Sequence, residues 1–124
     1  MSVLTRRVRP PAGEHVELHD HGGASGALCV VAGQLVETWA TGLSATRLRQ
    51  RRLDRGAVAA FGPEHVHDVV NAGRSHALTI QVYTPRLVSM TYYAFHRGER
   101  RGLEPVRTEL SDHPAVAPGL LVRR

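Results

Sequence analysis

Glycine and proline interrupt this chain so often that no apolar run in it is long enough to form a core helix. Gly33, Gly42, Gly56, Gly62 and Gly73 separate short segments whose apolar residues alternate or form brief blocks, which is the pattern of half-buried or fully buried strands. The segments are 27–31 (ALCVV), 34–40 (QLVETWA), 46–53 (TRLRQRRL), 57–61 (AVAAF), 65–70 (HVHDVV), 77–85 (ALTIQVYTP) and 90–95 (MTYYAF). Short strands at such even spacing predict an all-β chain, either a sandwich or a barrel. The opening stretch MSVLTRRVRPPAGEH holds a candidate first strand and is then broken by proline, so it reads as an edge element or arm. After Arg97 the residues Gly98, Gly102, Pro105, Pro114, Pro118 and Gly119 predict an extended tail with a last strand near Glu104 to Leu110. A chain of 124 residues has room for one domain over 1–124, with its core at about 13–95 and the tail at 96–124.

The net charge of +5 comes from arginine alone, because the chain has no lysine. A basic chain raises the prospect of a nucleic-acid partner, but the arginines are spread from Arg6 to Arg124. Their densest run, RLRQRRLDR, lacks the interleaved aromatics that stack bases. We therefore expect no nucleic acid, and a solvated hairpin or strand edge at 47–55. Cys29 is the one cysteine, and its neighbours in ALCVVAG are apolar. It is expected to be a small core residue in a reducing compartment. No stretch approaches the length of a membrane helix, so the expectation is a cytoplasmic protein with no membrane partner.

Eight histidines in so short a chain call for an account. His19 and His21 flank Asp20, and on a strand such alternate side chains share a face. A third imidazole from another strand would complete a metal site, and His65 and His67 are the candidates. Gly13, His19, His21, Gly26 and Gly33 stand at the spacing of the first cupin motif, which they resemble. Gly56, Gly62-Pro63-Glu64, His67 and Asn71 resemble the second. That register selects His67 as the third ligand and leaves His65 beside the site. Gly26 stands where the first cupin motif usually has a glutamate, so the implied site has three neutral imidazoles. Such a site leaves a divalent ion its full charge and favours an anionic ligand such as a thiolate. Ligand type alone leaves zinc and iron both open.

Three segments, LHDHGGASGALCVVAGQLVET (18–38), GPEHVHDVVNAG (62–73) and VYTPRLVSMTYY (82–93), together resemble the cysteine dioxygenase family of cupins, especially its bacterial members. The resemblance implies a double-stranded β-helix (jelly-roll) barrel with Fe(II) held by His19, His21 and His67. It also implies a thiol dioxygenase that uses O2 to convert a small thiol such as L-cysteine, or 3-mercaptopropionate, to its sulfinic acid. The family places Ser, His and Tyr on alternate positions of a late strand, where this chain has Thr79, Gln81 and Tyr83. Thr84-Pro85 resembles the family's cis Ser-Pro bond. Mammalian members of the family cross-link a cysteine to the tyrosine, but the matching position here is Gly26, as in bacterial relatives, and Cys29 is out of register. The chain is expected to begin at or after the strand that carries the family's substrate-binding arginine. Arg6, Arg7, Arg9 and Arg86 are the candidates to replace that anchor, none at a position that matches the family's, and each is expected instead to face solvent. The implied oligomeric state is a monomer or weak homodimer, and a metal-binding cupin without catalysis is the competing reading.

Overall fold

A computed structural model describes residues 1–8, 15–98, 102–110 and 121–123. The expected alternation produces strands β1 (Ser2–Val8), β2 (His15–His19), β3 (Ser25–Ala32), β4 (Leu35–Thr41), β5 (Arg49–Leu53), β6 (Val58–Phe61), β7 (His65–Asn71), β8 (Ala77–Thr84), β9 (Ser89–His96), β10 (Gly102–Leu110) and β11 (Leu121–Arg123). The strand predicted over 46–53 begins only at Arg49, and the last strand near Glu104 to Leu110 is β10. Among the described residues there is no helix, so none is long and apolar enough to cross a membrane.

The strands form two sheets, in the orders β11-β1-β8-β3-β6 and β10-β9-β2-β7-β4-β5. Their pairings are antiparallel except for β1 with β11. The first correction falls at the N-terminus. β1 is not an edge arm but lies between β8 and β11, paired with β8 from Ser2↔Tyr83 to Val8↔Ala77. Its buried Ser2, Leu4 and Val8 share the inward face, as the period-two rule requires.

The interior is polarised along its strands. At one end Val8, Leu28, Val30, Leu35, Leu53, Ala59, Val69 and Ala77 form an apolar plug. Full burial of Leu28 and Leu35, 1% and 0% exposed, stabilises the fold by about 2 kcal/mol each. Moving along the same inward faces, β7 passes from Val69 to His67 and His65, β4 from Leu35 to Glu37, and β8 from Ala77 to Thr79, Gln81 and Tyr83. Asn71 closes the apolar end, where its amide donates to the carbonyls of Val8 and Ser75 at 2.9 and 2.7 Å. Gly33 turns β3 into β4 at φ +84°, and a Cβ there would meet the Ala77 Cα at 2.7 Å, so both the backbone and the space call for glycine.

Candidate metal centre

His19 sits at the end of β2 opposite His67 on β7, and His21 follows in the loop. Asp20, between the two, clasps this loop to β9. Its Oδ1 accepts from the amides of Gly22 and Thr91 at 3.0 and 2.9 Å, its Oδ2 accepts from the Tyr93 hydroxyl at 2.7 Å, and its own amide donates to the Thr91 carbonyl. Partial burial and the Asp20 carboxylate push the Tyr93 phenol up to about 12, so it stays a donor. With Asp20 turned outward, both imidazoles enter the barrel.

The ring centroids of His19, His21 and His67 form a triangle with sides of 5.1, 4.8 and 4.9 Å. Potential ligand atoms of the three lie within 4.8 Å of one another, and all three residues are buried. Two of the rings have one nitrogen engaged. His19 Nδ1 lies 2.6 Å from the Glu17 carbonyl, and His67 Nδ1 lies 2.6 Å from Glu37 Oε2. Because both partners are acceptors, each Nδ1 carries the proton and each Nε2 keeps its lone pair. His21 differs, since both of its ring nitrogens are buried without a hydrogen-bond partner. A buried polar group left unsatisfied in a folded chain calls for an explanation, and a cation supplies the missing partner. Burial is the main force holding His19 and His21 in the neutral, ligating form. Aided by the neighbouring imidazoles, it lowers His19 well below the usual histidine range and His21 to about 2. Burial also lowers His67, although Glu37 opposes the shift.

A second cluster, Glu37, His65 and His67, shares His67 with the first. It is saturated internally. Glu37 Oε2 accepts from His67 and, at 3.1 Å, from His65 Nε2, while Oε1 accepts from Arg51 Nε at 2.5 Å. Burial alone would raise the Glu37 carboxyl, but the hydrogen bonds from His65, His67 and Arg51 outweigh it and hold the group ionised, well below the carboxylate range. The three neutral imidazoles are thus the set that fits a metal, and the Glu37 cluster is their support.

On the facing wall, the inward residues of β8 form a directional row. The Tyr83 hydroxyl donates to Gln81 Oε1, Gln81 Nε2 donates to Thr79 Oγ1 at 3.3 Å, and Thr79 Oγ1 donates to the Arg6 carbonyl at 3.4 Å. The Tyr83 ring lies 5.3 Å from that of His21, and the Thr84-Pro85 bond that follows is cis. Phe61 stacks on His21 at 4.5 Å. It fills the space beside Gly26, where a Cβ would stand 2.3 Å from the Val82 carbonyl oxygen and 2.7 Å from Phe61 Cζ.

Several expectations need correction. Arg6 is half-buried opposite Thr79, on the inward parity of β1, and its charge is among the causes that lower His19, His21 and His67. Arg7 and Arg86 are exposed as expected, while Arg9 and Gly13 lie outside the described residues. Arg51 is not merely solvated: it pairs with buried Glu37 and lies 5.2 Å over the Trp39 ring. Cys29 is half-buried on β3, at the parity opposite to buried Leu28 and Val30, so it is not a core residue. Sequence reasoning passed over Glu37 altogether.

A family profile described as cysteine dioxygenase type I matches residues 8–97. Among solved structures, the CENP-C cupin domain of Drosophila melanogaster shares 12% identity over 63% of this chain and 53% of its own, with a TM-score of 0.56. Oxalate oxidase in complex with the substrate analogue glycolate shares 18% over 62% and 38%, with a TM-score of 0.54. Oxalate decarboxylase of Lactobacillus farciminis shares 22% over 62% and 22%, with a TM-score of 0.53. At these identities the likeness establishes the cupin fold alone, and the chain spans about half the length of the CENP-C structures it matches. No curated protein matches the sequence.

Proposed function

Because this chain belongs to the cysteine dioxygenase type I family, whose profile covers residues 8–97, we propose that it is a non-haem Fe(II) thiol dioxygenase converting a small thiol such as L-cysteine to its sulfinic acid with O2. The observation that carries this reading is His21: a buried imidazole with two unpartnered nitrogens, facing two further imidazoles whose outer nitrogens are already engaged. His19, His21 and His67 would hold the metal. Imidazole donors suit iron, and three uncharged ligands leave the ion's charge free to attract a thiolate. Bound iron would supply the Lewis-acid and redox chemistry by which a thiol sulfur gains both oxygen atoms of O2.

The chain's own residues bind and orient. Arg6 places a cation on the inward parity of β1, where its charge reaches the three imidazoles. Tyr83, whose hydroxyl donates to Gln81, sets its ring 5.3 Å from that of His21. The Gln81 amide does not titrate near neutral pH, so this row positions a group and moves no proton. Phe61, Tyr83 and Leu87 belong to the apolar cluster on this side of the barrel and exclude water from the reacting sulfur. We read the whole chain as one domain, cytoplasmic, and a monomer or weak homodimer.

The test is anaerobic reconstitution with Fe(II), followed by oxygen uptake and sulfinate detection with cysteine, 3-mercaptopropionate and cysteamine. We expect sulfinate from at least one thiol, and the panel identifies which. Gln81 in place of the family's histidine favours, as a second reading, a cupin that binds metal without turnover. Iron uptake with no sulfinate from any of the three thiols would establish that reading and overturn ours.

A further inference from the structure

The three-imidazole face has no anionic ligand, and Gly26 cannot regain one, because a side chain there would collide with the Val82 carbonyl and the Phe61 ring. A carboxylate nevertheless stands one hydrogen bond away. Glu37 is 0% exposed and shares the inward face of β4 with buried Leu35, a position where an apolar side chain would extend the plug without the cost of desolvating a charge. Its Oε2 accepts from His67 at 2.6 Å and from His65 at 3.1 Å, and its Oε1 accepts from Arg51.

We propose that Glu37 is a positioning residue that supplies, through His67, the negative charge which the centre lacks, and that Arg51 and His65 set how much of that charge the imidazole receives. The inference rests on the metal reading above. By accepting the Nδ1 proton, the carboxylate fixes the His67 tautomer, aims the Nε2 lone pair at the centre and raises the basicity of the ring. His65 shares Oε2 with His67 and Arg51 occupies Oε1 of the same carboxylate, so both draw its charge away from His67. Deleting Glu37 and deleting Arg51 therefore act in opposite directions on metal affinity. A merely structural network predicts one direction, because losing either partner would loosen the pocket.

The experiment is a titration of the metal-free full chain with Co(II), followed by visible absorption and by calorimetry, with no substrate present. Glu37→Gln keeps the volume and an acceptor oxygen but removes the charge, and it is expected to weaken Co(II) binding by about ten- to a hundredfold. Arg51→Met is expected to tighten it, and His65→Phe, which preserves the stack on Phe61 and Trp39, follows Arg51→Met. If wild type binds Co(II) and Glu37→Gln binds it equally well, the proposal fails while the metal reading stands. If Glu37→Gln does not fold, Arg51→Met decides, and equal or weaker binding there overturns the proposal. If wild type binds neither Co(II) nor Fe(II), the metal reading itself falls and this inference goes with it.

Discussion

The two walls of the pocket are both polar and both hydrogen-bonded, yet they solve burial differently. The wall of β7 and β4 encloses an ionised carboxylate, and its network reaches the surface through Arg51, whose side chain is 37% exposed. The β8 wall is neutral and ends inside the sheet, on the Arg6 carbonyl. A buried charge needs a counter-charge and a full set of donors, whereas a row of hydroxyls and an amide needs only a consistent direction. The buried ionised carboxylate therefore lies on the β7 and β4 side, while on the other side the nearest charge is that of Arg6 on the neighbouring β1.

The largest expected effect breaks the charged wall outright. Glu37→Ala leaves His65, His67 and Arg51 without their acceptor and is expected to cost about 3–5 kcal/mol, read from urea unfolding of the metal-free protein. Acidification comes next. Burial lowers His19 and His21 below their usual 6.5, so below that pH the unfolded chain takes up protons that the folded chain refuses. Stability then falls as pH falls, approaching about 1.4 kcal/mol per pH unit for each such imidazole. The depressed Glu37 carboxyl adds a loss of the same sign below its usual 4.5, and unfolding midpoints at pH 7.5, 6 and 5 measure the histidine slope, with a further midpoint at pH 4 for the carboxyl. On the neutral wall, Gln81→Leu removes the acceptor of the Tyr83 hydroxyl and the donor to Thr79 Oγ1 and is expected to cost about 1–3 kcal/mol with an unchanged acid slope. A cost equal to that of Glu37→Ala would erase the distinction between the walls. The smallest effect is expected from Gln81→His, which carries a titratable ring onto the neutral side. It should change stability little at pH 8 and add to the acid slope, and an unaltered slope would show that the β8 wall does not sense protonation.

Most of the fold was legible because alternation survives in nearly every strand, and the three imidazoles were legible because glycine spacing fixes their register. What escaped depends on pairings between distant segments. Arg6 shares parity with Leu4 and Val8, but its place in the pocket follows from β1 lying beside β8, a register set by residues about 75 apart in sequence. Arg51 meets Glu37 because the β4–β5 hairpin pairs Leu35 with Leu53, and the irregular 42–48 connection gives no turn signature that fixes this. Glu37 did carry a local signal. It lies at the same parity as Leu35, and a charge on the buried face of a strand implies a partner. Cys29 was misread by composition where parity with Leu28 and Val30 would have placed it outside.

The Asp20 clasp couples the histidine loop to a strand that contributes no imidazole. Because the carboxylate and the amide of Asp20 itself hold it to Thr91 and Tyr93, the backbone that carries His19 on one side and His21 on the other is pinned at its midpoint, with His67 facing it from β7. The histidine loop is thus keyed to β9 as well as to β7, so the spacing of the imidazoles depends on a strand that supplies none of them.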